Sequence, residues 1–110
     1  MSNNRVFVLC QTNIKRWQMR CANAERHVES RDFAAYVEKD FGTMLSAVSP
    51  RRVWDGTEKD DGERYCKLKR ALRQCRYVYL VDGWERDTMC VRRRKSAWWQ
   101  FKTFIQDEED

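Results

Sequence analysis

Residues 68–87 read LKRALRQCRYVYLVDGWERD, and this stretch decides the fold. Leu68, Leu72 and Cys75 recur at helical spacing, and the run 77–81, YVYLV, follows without a polar break. Unbroken apolar character over a short run marks a strand buried on both faces, as in a parallel sheet under helices. The run stops at Asp82-Gly83. The carboxyl end of such a strand is where a parallel sheet opens its ligand crevice.

Outward from this segment the pattern repeats. Residues 6–10, VFVLC, form an earlier apolar run and the first expected strand. Thr12 or Asn13 can cap the helix that follows, because such side chains accept from the orphan amides of a first turn. Ile14, Trp17, Cys21, Ala24 and Val28 give that helix its apolar face. Ser30 offers a second cap, with Phe33, Tyr36, Val37 and Phe41 as the stripe and Gly42 as the stop. The two helical stretches also read as one kinked helix.

Residues 44–48 make a second strand, closed by Ser49-Pro50, with Val53 and Trp54 in the connection. Thr57, Glu58, Asp60 and Asp61 read as an acidic first turn, although Gly62 shifts the helix start toward Glu63. Tyr65 joins Leu68, Leu72 and Cys75 on the buried stripe, leaving Lys67, Arg70 and Arg73 outside. Beyond the central strand, Val91, Trp98, Phe101 and Ile105 fit a helical face. The alternation of Trp99, Phe101, Thr103 and Ile105 permits a strand there instead. Strand–helix repeated three times predicts a small three-layer α/β domain over residues 1–106, with right-handed crossovers and an acidic tail at 107–110.

At 110 residues the chain supports one modest core, and 42% hydrophobic residues exclude a disordered chain despite 35% charge. No apolar run is long enough to span a bilayer and the opening MSNNR has no signal-peptide core, so a soluble cytoplasmic protein with no membrane contact is expected. In that setting Cys10, Cys21, Cys66, Cys75 and Cys90 read as free buried thiols. His27 is the sole histidine and no Cys-x-x-Cys occurs, so neither a metal nor a cofactor is expected.

Charge is unevenly spread. The net is +5, yet residues 64–102 hold twelve Lys/Arg against Asp82, Glu85 and Asp87 alone. A concentrated basic field favours an anionic partner: an acidic protein face, nucleic acid, or a nucleoside or nucleotide ligand. Arg92, Arg93, Arg94 and Lys95 are consecutive, so they cannot share one helix face. Trp98 and Trp99 lie about 100° apart around a helix, which leaves one indole half exposed. An exposed Trp beside arginines stacks on a base, anchors a protein contact, or lies under its own arginines. Arg92, Arg93, Arg94, Lys95, Trp98, Trp99 and Lys102 are thus the expected binding surface, which Lys67, Arg70, Arg73 and Arg51-Arg52 can extend.

Ala71-Leu72, Cys75, the run 77–81, Gly83-Trp84-Glu85 and Asp87 together resemble the small, often phage-borne relatives of nucleoside 2-deoxyribosyltransferase. The resemblance implies a flavodoxin-like sheet and cleavage or exchange of the bond between base and sugar. With the strand ends, it makes Cys10, Gln11, Asp82, Gly83 and Trp84 the expected crevice. The chain departs from the family at the chemistry. The family's Gly-Ala pair is Met89-Cys90 here, its nucleophilic Glu is Arg93, an Asp before the Cys is Leu68, and its first-strand Gly-Pro is Cys10-Gln11.

Displacing a base passes through an oxocarbenium-like state that a carboxylate attacks or stabilises. A guanidinium opposes that positive charge and is no nucleophile. Glu85 and Asp87 are the remaining candidate catalytic pair, against the commoner role of such acids as helix caps. The expected function is a non-catalytic binding protein, of phage or mobile-element type, that docks its basic Trp/Arg face on an acidic host or defence protein. A nucleoside or nucleotide N-glycosidase or transferase, a sequence-independent nucleic-acid binder and a nucleotide sensor are the alternatives.

Overall fold

The fold was described in a computed structural model over residues 3–39, 42–100 and 102–106. Phe41, Phe101 and the acidic tail, each named above, therefore lie outside the described residues. Strand β1 (Arg5–Leu9) is flanked by β2 (Ser46–Val48) and β3 (Tyr77–Leu80), and β4 (Thr103–Ile105) pairs on the far side of β3. All pairings are parallel, with Phe7 opposite both Val48 and Val78, and Val78 opposite Phe104.

The chain leaves β1 toward one edge and returns to add β3 and β4 on the other. With right-handed crossovers, that reversal puts helices on both faces. Helices α1 (Trp17–Val28) and α2 (Arg31–Glu38) cover the face carrying Val6, Val8, Tyr77 and Tyr79. Helices α4 (Asp61–Arg73) and α5 (Thr88–Trp99) cover Phe7, Leu9, Val78 and Leu80. Every residue of β3 is buried, which is the two-sided cover that its unbroken apolar run demands. The chain is a small three-layer α/β domain.

Local capping sets the helix bounds. Thr12 and Asn13 do not cap α1, because Thr12 is bound to Asp87 and Asn13 Nδ2 donates to the Arg86 carbonyl at 3.3 Å. The helix instead starts at Trp17, after Arg16 in the left-handed region at φ 59°. Ser30 caps α2 by accepting from the Phe33 amide at 3.2 Å, which separates α1 and α2 into two helices. Lys39, at φ 56°, ends α2 well before Gly42. Ser49 caps a short helix α3 (Pro50–Val53), so Val53 belongs to a helix rather than to a connection. Asp60 accepts from the Glu63 amide at 2.8 Å and starts α4 at Asp61; Thr57 and Glu58 precede the helix.

At the other end, α5 stops at Trp99 and β4 follows, so residues 97–105 contain both a helix end and a strand. The cysteine expectation needs correction. Cys10 and Cys21 form a disulfide with their Cα atoms 6.2 Å apart, because the end of β1 packs directly against α1. Cys75 and Cys90 are buried free thiols, and Cys66 is free but exposed. Among the described residues, no helix is long and apolar enough to cross a membrane.

Candidate functional site

The carboxyl ends of β1 and β3 mark the point where the sheet reverses its winding, the usual address of a ligand in such folds. Here an opening of about 500 Å³ lies between α1 and the end of β3, with Asp82 in its lining, while Cys10, Gln11, Gly83 and Trp84 line neither it nor the larger cleft. Gly83, at φ 93°, turns the chain into a single 3-10 turn, Trp84–Arg86, and a Cβ on it would lie 3.1 Å from Gln11 Oε1. Gln11 is buried, and Cys10 is locked in its disulfide while its carbonyl accepts the Cys90 thiol at 3.1 Å. Trp84 turns inward against the α4–α5 side of the core, and Asp82 stays exposed with its carbonyl accepting Arg20 Nη2 at 3.4 Å. None of these five residues lines the main cleft.

A larger hollow lies beside that point, on the α3–α4–α5 side, with a volume of about 920 Å³. Thr12 and Trp17 form one wall, Arg51 and Trp54 the next, Arg64 and Tyr65 of α4 the third, and Asp87, Met89 and Arg92 of α5 the last. Trp17 and Trp54 meet edge to face at 5.6 Å, and Trp54 Nε1 donates to the Arg64 carbonyl at 3.0 Å. The wall carrying Arg51 is held by a buried acid. Glu25 of α1 accepts from Ser49 Oγ at 2.6 Å and from Arg51 Nε at 3.0 Å, and it pairs with Arg52 Nε at 3.0 Å.

Burial would push the Glu25 carboxyl up, but the bonds from Arg51 and Ser49 and the charges of both arginines hold it below its ordinary 4.5. Arg52 also binds Glu29, whose carboxyl is lowered chiefly by that bond. The Arg51-Arg52 pair is therefore engaged within the fold. Lys67 is likewise engaged, with Nζ 3.0 Å from Glu58 and 3.3 Å from Asp55.

Of the two candidate catalytic acids, Asp87 is buried and commits both oxygens to structure. Its Oδ1 accepts from the Met89 amide at 2.9 Å as the cap of α5, and its Oδ2 accepts from the Thr12 amide at 2.8 Å and hydroxyl at 3.2 Å. Glu85 is exposed on the 3-10 turn and lines no part of the cleft. The capping role is the one the structure assigns to Asp87.

The basic-aromatic surface divides. Arg93 lies in the buried stripe of α5 with Cys90 and Ala97, only 2% exposed. Its guanidinium stacks on the Tyr65 ring at 3.7 Å, yet Nε and Nη1 have no hydrogen-bond partner. Burial pushes its pKa below the ordinary arginine value, although an arginine remains charged. Arg94 lies over the Phe104 ring at 3.9 Å, and Lys102 donates to the Arg73 and Cys75 carbonyls past the end of α4. Arg92, Lys95, Trp98 and Trp99 stay exposed.

Both indoles are outside, at 56% and 72% exposure, because the inward stripe of α5 runs through 90, 93 and 97 rather than 91 and 98. They pair edge to face at 4.9 Å. Sequence reading missed the burial of Arg93 and the part of Tyr65, since a run of four cations reads as a wetted face. The departure of position 93 from the family pattern is the one signal that singled it out.

Strand order, helix layers and cleft together define a doubly wound α/β domain with an arginine-bearing hollow beside its switch point. No protein-family model matches the chain, and neither a curated protein nor a solved structure matches it.

Proposed function

We propose that the chain is a non-catalytic binding protein that docks the outer face of α5 on an acidic protein surface. The supporting observation is the exposed, mutually packed pair Trp98–Trp99, with Arg92 and Lys95 exposed on the same helix. Two neighbouring indoles left in water form the kind of aromatic patch that marks an interaction site. Trp and Arg are also the residues that carry most binding energy in protein interfaces. The family resemblance fits a fold inherited from base–sugar chemistry whose catalytic acids are gone, because Asp87 is engaged as a cap and Arg93 stands at the nucleophile's position. Nucleic acid is the weaker partner. Arg93, Arg94 and Lys102 are turned to internal contacts, which leaves few cations to track a phosphate backbone.

The test is capture from host lysate by wild type, by Arg92→Glu/Lys95→Glu and by Trp98→Ala/Trp99→Ala, each with and without nuclease. Wild type and Glu85→Ala are expected to retain one protein after nuclease, and both double variants to lose it. Loss of capture on nuclease treatment assigns the face to nucleic acid, and free base released from nucleosides assigns the chain to the enzymes; either result overturns the reading.

A further inference from the structure

Arg93 is out of place as a core residue. It occupies the inward stripe of α5 between Cys90 and Ala97, where an apolar side chain would fill the space. A buried guanidinium without an acceptor is costly, and stacking on Tyr65 offsets only part of that. Stacking also engages only the face of the group, leaving its in-plane N–H bonds unused. A small void of about 10 Å³ lies against it, on the threshold of holding a single water. Thr12 and Met89 line both this void and the large cleft, so they form the partition between the two. Met89 is flexible enough to move aside.

The charges around the cleft point the same way. Asp87 is committed to amides, Glu58 to Lys67, and Asp61 to Arg64 at 3.3 Å. Arg51 is bound to Glu25. Arg92, by contrast, has no ion-pair partner among the described residues, and it shares α5 with Arg93. The cleft volume, about 920 Å³, is that of a small-molecule site.

We infer that this cleft takes a small phosphorylated molecule, whose phosphate oxygens accept from Arg93 through the Thr12–Met89 partition and from Arg92 at the rim. Arginine suits the role because it stays charged and donates in a fixed plane. The inference shares the exposed Arg92 with the proposed docking face but turns on Arg93, which is buried away from that face.

The experiment measures binding by calorimetry and thermal shift, using inorganic phosphate, ribose 5-phosphate, AMP and adenosine with the full chain. Saturable binding of phosphate and of at least one ester is expected, with adenosine weaker than AMP by about tenfold or more. The preferred ester identifies the source of the phosphate. Arg93→Met is expected to raise the Tm without ligand, because it removes an unpaired buried charge, and to weaken phosphate-ester binding about tenfold or more. Should Arg93→Met not fold, Arg92→Ala at the exposed rim is expected to weaken the same binding severalfold. No saturable binding of any phosphate, equal affinity for AMP and adenosine, or unchanged affinity in a folded Arg93→Met or in Arg92→Ala overturns the inference.

Discussion

Asp87 holds Thr12 through both its amide, at 2.8 Å, and its hydroxyl, at 3.2 Å, joining residues 75 positions apart in the chain. The same carboxylate caps α5, so one side chain fixes the loop after β1 to the first turn of the last helix. Asp87→Ala removes a cap and strands buried donors. It is expected to lower the unfolding free energy by about 2–4 kcal/mol in urea titrations, with Asp87→Asn falling between it and wild type. A loss below about 0.5 kcal/mol would mean that this clamp is not formed.

Glu25 and Glu29, with Asp55 and Glu58 near Lys67, are carboxylates held below their ordinary range, and of these Glu25 is the one that anchors the arginine pair inside the fold. Burial raises the Glu25 carboxyl, but its arginine and serine bonds outweigh this, and Glu29 is lowered chiefly by Arg52. Both therefore sit below 4.5 in the folded chain. Their stabilisation is fully present above that value and is lost as pH falls through the lowered folded values. Glu25→Gln is expected to cost about 3 kcal/mol at pH 7 and to flatten the loss of stability below pH 4.5, followed by circular dichroism. An acid limb as steep as wild type contradicts the assignment.

Two glycines separate backbone strain from crowding. Gly56 and Gly83 have φ of 90° and 93°, but a Cβ at Gly56 meets nothing within 4 Å while one at Gly83 meets Gln11 Oε1 at 3.1 Å. Gly56→Ala is expected to cost about 1 kcal/mol and Gly83→Ala about 2 or more. Equal losses would show that Gln11 yields freely.

Thiol reactivity follows burial. Burial pushes Cys75 up to about 11 and Cys90, helped by the Asp87 charge, up to about 12. A disulfide reagent at pH 8 is expected to modify Cys66 quickly and the other free thiols only on unfolding, with Cys10 and Cys21 appearing only after both reduction and unfolding. Rapid native labelling at Cys90 would contradict its placement.

The doubly buried β3 was legible because an unbroken apolar run has few other homes, and the caps Ser30 and Asp60 lie in stretches that read as helix starts. Other elements follow from contacts that span long separations. Thr12 reads as a helix cap until its hydroxyl is drawn to Asp87. Cys10 and Cys21 read as thiols until β1 packs on α1. The stripe of α5 is the instructive failure. With Arg93 between Cys90 and Ala97, no apolar periodicity reveals which side faces inward, and the eye falls on Val91 and Trp98 instead. The residue that blurs the pattern is the one with unused donors beneath the cleft. At the expected crevice Gly83 packs so close to Gln11 that a Cβ there would lie 3.1 Å from Gln11 Oε1, a contact between residues 72 positions apart that no local pattern announces.

The outer rim of β2 is sealed by side chains. Ala47 donates its amide to Glu29 Oε2 at 3.1 Å and its carbonyl accepts Arg52 Nη1 at 3.0 Å, so one ion pair satisfies the groups that a neighbouring strand would seek. This margin offers no template for adding a foreign peptide in register, and edge-to-edge joining of sheets between copies is discouraged there. Recognition at that end of the molecule is thereby denied to main-chain pairing and left to helices and loops.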